Sequence, residues 1–268
     1  MSDNNTSKVS LFDFPEVPSS IDNAVQNLTD VPTKNIGQTF GDIWYLVFGS
    51  ISHAADKKRM KYAVDLESYR EELAQSIGLI PENKKVEPSI QITAQALENS
   101  KYCVTSDVLR AMFVNLISNS MNADTYSLAH PAFPEILKQL SSDDALLLED
   151  IYRSKQSCLP VAKIGLNSED GGHNVFYENV FTPNALDFPH ARYSLSLSSL
   201  QRASLISIDY DVQINSNQAY DKLRQTPEYL QMQELSTSSA LSSPYFRKGL
   251  IQLTTIGRAF CSICIEKN

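Results

Sequence analysis

Residues 106–152 read SDVLRAMFVNLISNSMNADTYSLAHPAFPEILKQLSSDDALLLEDIY, and they predict three closely connected helices. Apolar residues in the first part recur at steps of three and four, which places them on one face of a helix that must be buried. They are Leu109, Met112, Phe113, Leu116, Ile117 and Met121. His130 and Pro131 open the second helix, since proline is tolerated in a first turn. Ser141 and Asp144 stand at capping-box spacing and begin the third.

The same helical periodicity extends over the residues that precede this stretch. The apolar stripe comprises Ile36, Phe40, Ile43, Trp44, Val47, Phe48 and Ile51, and then Tyr62, Leu66, Tyr69, Leu73 and Ile77. It predicts the longest helix of the chain, which ends before Pro81, and another helical segment over 89–97. Residues 43–55 lack Asp, Glu, Lys and Arg, but they are fewer than the roughly 20 residues that a membrane-spanning helix needs. We therefore expect this helix to pack against the helices of residues 106–152.

Beyond residue 152 the pattern changes to the alternation that is typical of strands. The sequence predicts strands over 159–166, 205–214 and 245–253, and a small hairpin around 175–181. A helix is predicted around 195–203, a polar and helix-prone segment over 217–235, and a last helix from Thr254 to Ile265. Helix, strand, helix, strand, return strand and helix follow one another in the order expected of an elaborated winged-helix module.

These elements predict a mainly α fold, with an N-terminal helical domain that contains a long helix and an α+β winged-helix-like C-terminal domain. The predicted organisation is a flexible acidic arm over 1–34, a helical domain over 35–130 and the winged-helix-like domain over 131–268. Insertions are placed near 167–191 and 215–244. Two domains agree with the length of the chain, 268 residues.

Composition narrows the classes of function. A formal net charge of −8 and a pI near 5.0 oppose long-range attraction to nucleic acid or to anionic lipid. The four cysteines, at positions 103, 158, 261 and 264, are too few and too unevenly spaced for a disulfide framework. Residues at the N-terminus show no basic region followed by an apolar core, so we expect a cytoplasmic protein.

Cys261 and Cys264 form a CxxC motif, but the sequence contains no second pair of ligands with the spacing of a zinc site. Apolar residues surround both cysteines, which favours core packing over metal or redox chemistry. The histidines at 53, 130, 173 and 190 are isolated from one another in sequence, so only tertiary structure could assemble a metal site from them. His130 is expected to bond the neighbouring backbone at a helix start.

The sequence contains none of the common catalytic or cofactor motifs. Phosphate-binding loops, dinucleotide fingerprints, GxSxG and HExxH are all missing from it. Ribonucleases that pair an Arg and a His on one helix offer another model, but the helix of Arg110 continues with Asn115 and Asn119 and contains no histidine. The acidic residues Asp143, Asp144, Glu149 and Asp150 are better explained by a helix start. We expect no enzyme activity, no catalytic residue, no cofactor and no metal.

Six cations are the candidates for contact with a partner or with nucleic acid. They are Lys57, Lys58, Arg59 and Lys61 in one cluster, and Arg192 and Arg202 on the candidate helix whose apolar positions run from 195 to 203. The cluster suits a solvated helix face paired with nearby acidic residues, with phosphate or lipid-headgroup contact as the alternative. The two arginines flank serines and Gln201, which can read bases, yet two arginines supply little affinity for phosphate. A structural or protein-binding role is favoured for that helix.

Four blocks of the sequence resemble the Abi-alpha family of bacterial abortive-infection proteins. They are FVNLISNSMNAD at 113–124, HPAFPEILKQLSSDDALLL at 130–148, LSSLQRASLI at 197–206 and IQLTTIGRAFCSIC at 251–264, of which the second is the most specific. Order and spacing also match, over roughly residues 36 to 268. Ser204 stands where the family commonly has glycine, and Ala203 stands where it has a larger apolar residue.

The resemblance implies a bacterial or phage-associated protein that restricts phage or confers immunity, and it carries no catalytic motif. The leading hypothesis is therefore a non-enzymatic phage-defence or toxin-immunity protein that binds a protein partner, either a phage component or a toxin. A winged-helix DNA-binding regulator is one alternative, and a membrane-associated effector that uses residues 43–51 is another. A metal-independent nuclease ranks last. The sequence does not specify the oligomeric state.

Overall fold

The computed structural model describes residues 34–48, 57–238 and 243–266. Its first part contains six α-helices: α1 (Lys34–Phe48), α2 (Lys57–Gly78), α3 (Ile90–Ser100), α4 (Asp107–Ser120), α5 (Phe133–Gln139) and α6 (Ser142–Arg153). Its second part mixes strands and helices: β1 (Leu159–Asn167), β2 (His173–Val180), α7 (His190–Arg202), β3 (Ile206–Asp209), α8 (Pro227–Ser238), β4 (Pro244–Leu253) and α9 (Thr255–Cys264).

Helix α4 lies at the centre of the core, as its periodicity predicts. All six residues of its predicted apolar face are buried, and Phe113, Leu116 and Ile117 have no exposed surface (0%). Among the buried polar residues of α4, Asn115 and Asn119 donate hydrogen bonds to carbonyl groups at the end of α9. Helices α4 and α9 are therefore held together by apolar packing and by specific polar contacts.

From Phe40 to Phe48 and from Tyr69 to Ile77 the apolar stripe of α1 and α2 is buried in this core, with Tyr62 and Leu66 partly buried against it, which confirms the predicted packing for the side chains that the structure describes. Trp44 is 6% exposed, and its ring lies 4.4 Å from that of Phe48 and 5.7 Å from that of Tyr69 between centroids. Ile51, at the end of the first half of the stripe, lies outside the described residues, as does the junction that would make α1 and α2 one long helix.

The second helix of the central stretch begins later than predicted. It starts at Phe133, and Pro134 is tolerated in its first turn because the N–H that proline lacks would have no partner within the helix there. His130 instead accepts a hydrogen bond at Nδ1 from the backbone N–H of Ala132 (3.1 Å), as predicted for its side chain. The capping box before α6 is confirmed: Ser141 Oγ accepts from the Asp144 N–H (3.1 Å), and Asp144 Oδ2 accepts from the Ser141 N–H (2.9 Å).

The four strands form one antiparallel sheet in the order β2-β1-β4-β3. One face of this sheet, with Leu159, Val161 and Ile251, joins the main core with the helices. The other face carries Ala162 and Ile164 and is covered by residues of the 217–238 segment. These covering residues are Tyr220, Leu223 and Met232.

The prediction of a mainly α fold with a winged-helix-like C-terminal domain is wrong. The described chain is α+β: rich in helix, but built on a four-stranded antiparallel sheet. Residues 173–180 do not form a small hairpin of their own; they add a full strand, β2, at the edge of the sheet beside β1. Because most of its side chains are exposed, β2 lacks the alternation by which a half-buried strand is recognised. The strand predicted over 205–214 is also shorter, and ends at Asp209.

Candidate partner-binding cleft

The predicted cationic cluster lies at the start of α2. Side chains of Lys57, Lys58 and Arg59 lie outside the described part of the chain, and Lys61 is exposed. Phosphate or lipid contact by this cluster stays a prediction.

The two predicted cations of α7 both contact neighbouring helices. Arg192 binds the carboxylate of Asp143 with two hydrogen bonds, from Nε to Oδ2 (2.8 Å) and from Nη2 to Oδ1 (2.5 Å). Arg202 donates from Nη1 to Oε1 of Gln139 (3.3 Å). Because a carboxylate already neutralises Arg192, its attraction for a phosphate is reduced.

The CxxC motif is part of the core, as predicted. Cys261 and Cys264 have no exposed surface (0%), and burial raises the pKa of both thiols. Of the histidines, His173 stacks on Tyr245 with the ring centroids 4.1 Å apart, and His190 Nε2 lies 2.8 Å from the carbonyl oxygen of Glu178. His53 lies outside the described residues, and the described ones contain no group of three or more side chains that could hold a metal ion.

A cleft of about 370 Å³ opens where the chain leaves β3 and passes beside β4. Its lining combines aromatic, cationic and apolar side chains: Tyr210, Asp211, Val212, Gln213, Phe246, Arg247 and Lys248. The sheet places these residues together because β3 and β4 are paired, with Asp209 opposite Leu250. Residues that immediately follow β3 therefore meet the first half of β4.

Tyr210 forms one wall of the cleft and lies across the sheet. Its ring covers Gly249, where a Cβ atom would come 2.6 Å from the ring. The hydroxyl donates to Oδ1 of Asn179 (2.8 Å) and accepts from the Asn179 N–H (3.2 Å). Asn179 has a φ of 54°, in the left-handed region that asparagine tolerates. Burial raises the pKa of Tyr210 to about 12, so the hydroxyl stays protonated and able to donate at neutral pH.

Two cations line the cleft from successive positions of β4. Arg247 donates to the carbonyl oxygen of Tyr210 (3.2 Å) and to Oδ1 of Asp211 (2.6 Å). Lys248 Nζ donates to Oδ1 of Asn217 (2.5 Å) and lies 5.4 Å from the ring centroid of Tyr220.

Two further cations lie on the rings that line the cleft. Lys163 Nζ is 4.8 Å from the ring centroid of Tyr210, and the Arg224 guanidinium carbon is 4.6 Å from that of Phe246. Lys163 also pairs with Glu178 (2.8 Å). Cations that pack on aromatic faces keep their charge while their aliphatic stems are held in place. Tyr210 and Arg247 belong to the face of the sheet that joins the main core, and Phe246 and Lys248 belong to the opposite face, so the cleft lies beside β4 between the two faces.

Sequence reasoning missed this cleft, and the reason is the length of chain between its two walls. The 215–244 segment separates Tyr210 from Phe246, and only the pairing of β3 with β4 brings them together. The sequence did contain one signal, the adjacent cations Arg247 and Lys248 in a predicted strand. Successive strand residues face opposite sides of a sheet, and one side is usually buried in a core, so two adjacent cations indicate a strand with both faces open at that point.

Comparison of the sequence with known protein families finds one that matches most of the chain. The family model described as "Abortive infection alpha" matches residues 61–264, which include α3 to α9, the whole sheet and the cleft. No curated protein and no solved structure matches the chain.

Proposed function

Because the chain belongs to the abortive infection alpha family, we propose that it acts in phage defence by binding a protein partner and not by catalysing a reaction. The match over residues 61–264 carries this proposal. The partner is a phage component or a toxin, and the chain either triggers exclusion of the phage or neutralises the toxin.

Polar residues in the family-like blocks are engaged in contacts that hold the fold together, which favours a structural role for them over a catalytic one. Asn115 and Asn119 bind the end of α9. Asp144 caps α6 and also accepts a hydrogen bond at Oδ2 from Ser199 Oγ (3.0 Å). Thr254 accepts at Oγ1 from the Gly257 N–H (2.9 Å) and so caps α9. A scaffold of this kind suits a protein that presents a surface to a partner.

The alternative of DNA binding receives less support. The arginines of α7 are already hydrogen-bonded to Asp143 and Gln139, and the net charge of −8 opposes approach to DNA.

The membrane alternative uses residues 43–51, and it too receives less support. Ile43, Trp44, Val47 and Phe48 are buried against the rest of the chain, which leaves Tyr45 and Leu46 as the exposed apolar side chains of this segment among the residues described. Within the described ranges, no helix is both long and apolar enough to cross a bilayer.

Two measurements test the proposal. Cells that produce the chain should show a lower efficiency of plating for at least one phage of a diverse panel, or should survive production of a toxin encoded beside the gene. If neither protection is observed, the defence function is wrong. The purified full chain should leave labelled RNA, labelled DNA and nucleoside triphosphates intact, and turnover of any of them would contradict the non-enzymatic mechanism.

A further inference from the structure

One face of the sheet is covered by residues 214–238, here called the strap, which end with α8. The contact is a small apolar cluster of six buried side chains, three from the sheet and three from the strap: Ala162, Ile164, Val180, Tyr220, Leu223 and Met232. This cluster is separate from the main core, which joins the helices to the opposite face of the sheet. Among the described residues, the strap therefore contributes no side chain to the main core.

Most of the strap is accessible to solvent. Of its side chains described between 214 and 237, four are buried: Tyr220, Leu223, Thr226 and Met232. Two of its hydrogen bonds to the sheet lie at the surface, where water can replace them: the Tyr177 hydroxyl donates to Oε1 of Gln231 (2.5 Å), and Lys248 Nζ donates to Oδ1 of Asn217 (2.5 Å). Segments with few buried apolar contacts open locally at a lower free energy than the whole fold.

Tyr220 is the buried polar anchor of the strap. Its side chain is 0% exposed, and its hydroxyl accepts a hydrogen bond from the Ile214 N–H (2.8 Å) and donates one to the carbonyl oxygen of Gly249 (3.0 Å). Its ring meets that of Phe246 edge to face, with 6.5 Å between the centroids. A single side chain thus joins the first residue of the strap to β4.

The sheet does not depend on the strap for its own pairing. β4 is bonded to β1 on one side and to β3 on the other, and these ladders contain no residue of the strap. The paired strands also hold the strap at both ends: Asp209 pairs with Leu250 before it, and Leu166 pairs with Pro244 after it. A strap that leaves the sheet therefore stays tethered beside it, and its return is intramolecular.

We propose that the strap is a conformational switch, which detaches from the sheet as a unit and returns to it while the sheet and the main core stay folded. In the closed state, which the structure shows, the strap covers the apolar face of the sheet. In the open state Ala162, Ile164 and Val180 lose that cover and face solvent. The switch is a property of the chain by itself, so it holds or fails independently of the defence function.

The first test measures access of a thiol reagent to the covered face in the full chain. Ala162 under the strap and Ala145 in the main core are both 0% exposed, so Ala162→Cys and Ala145→Cys are matched variants. Both are made with Cys158→Ser, because Cys158 is half-buried and close to position 162. N-ethylmaleimide modification without denaturant, followed by mass spectrometry, should be faster in Ala162→Cys by roughly tenfold or more, since local opening is more frequent than global unfolding.

Adding Tyr220→Phe should make the modification of Ala162→Cys about tenfold faster, because the two hydrogen bonds of the hydroxyl are lost from the closed state only. The same change should leave the rate for Ala145→Cys within about twofold, since the main core contains no residue of the strap. Equal rates for the two thiols, or equal acceleration of both by Tyr220→Phe, would show that strap and core unfold only together and would overturn the proposal.

A second test needs no introduced thiol. Hydrogen exchange of the wild-type chain should be roughly tenfold or more faster for the amides of α8 than for those of α4, after correction for intrinsic rates. Asn119→Ala, which removes a contact of the main core, should accelerate exchange in α4 and leave α8 within about twofold of the wild type. Protection of α8 equal to that of α4, or equal acceleration of both helices by Asn119→Ala, would refute a strap that opens by itself.

Discussion

Asn119 of α4 donates a hydrogen bond of 2.9 Å from Nδ2 to the carbonyl oxygen of Ile263 in the last turn of α9. Asn115, one turn earlier, does the same for Cys264. The last carbonyl groups of a helix have no partner inside the helix, and here both lie in the core, where water does not replace a missing bond. The two asparagines therefore supply contacts that α9 requires in order to end inside the protein.

Replacing Asn119 should destabilise the fold. The side chain is 2% exposed, and Asn119→Ala leaves the Ile263 carbonyl without its partner, which we expect to lower the free energy of unfolding by about 1–3 kcal/mol. Urea denaturation of the purified chain measures the change. Asn174→Ala, at an exposed position on β2, is the control and should stay within about 0.5 kcal/mol of the wild type. Equal effects at the two positions would show that the contact with α9 contributes nothing specific.

Gly257 should tolerate no side chain. A Cβ at this position would come 1.9 Å from the carbonyl oxygen of Leu205, and because that atom belongs to the backbone it cannot turn aside. We expect Gly257→Ala to cost about 3 kcal/mol, at the upper end of the range for overpacking. Thermal unfolding or urea denaturation checks this value. Gly78→Ala at the end of α2 is the matched change, because a Cβ there meets no described atom within 4 Å, and it should be neutral or slightly stabilising.

Much of the helical core could be predicted because its elements are local. The apolar face of α4, the capping box of α6 and the Thr254 cap of α9 all depend on residues a few positions apart, and the structure has each of them. Strand β2 could not be predicted as a sheet element, since its pairing with β1 is not visible in the exposed sequence HNVFYENV. The cleft could not be predicted either, because its lining residues come together only when β3 pairs with β4 across the 215–244 segment.

Ser204 offers a position at which a change should stabilise the protein. The resemblance to the family marked it as a residue that stands where glycine is common, and the structure gives the reason: its φ is 60°, in the left-handed region. That conformation costs a non-glycine residue roughly 1–2 kcal/mol, whereas glycine loses about 0.5–1 kcal/mol more backbone entropy on folding. Ser204→Gly should therefore raise the free energy of unfolding by about 0.5–1 kcal/mol.

Urea denaturation tests the prediction for Ser204, with Ala203→Gly as the neighbouring control. Ala203 has a φ of −72°, which suits any residue, so its replacement by glycine gains nothing and should cost about 0.5–1 kcal/mol. The contact of this turn with α9 is kept in both variants, because Thr254 Oγ1 donates to the backbone oxygen of Ser204 (2.6 Å). If both glycine variants lose stability, the left-handed conformation is not the reason for the glycine found in relatives.

Tyr210 should make the free energy of unfolding fall with rising pH in the alkaline range. Burial raises the pKa of its hydroxyl from the ordinary value of 10.0 to about 12 in the folded state. A group whose pKa is higher in the folded state binds its proton more tightly there, so its contribution is fully present below pH 10 and is lost as the pH rises towards 12. Ionisation would also remove the donor that binds Asn179 Oδ1. Urea denaturation between these pH values should show a steeper loss of stability for the wild type than for Tyr210→Phe, which has no proton to lose there. Tyr126→Phe, at a position that is 54% exposed, should keep the slope of the wild type, and a wild-type slope in Tyr210→Phe would rule out Tyr210 as the residue responsible.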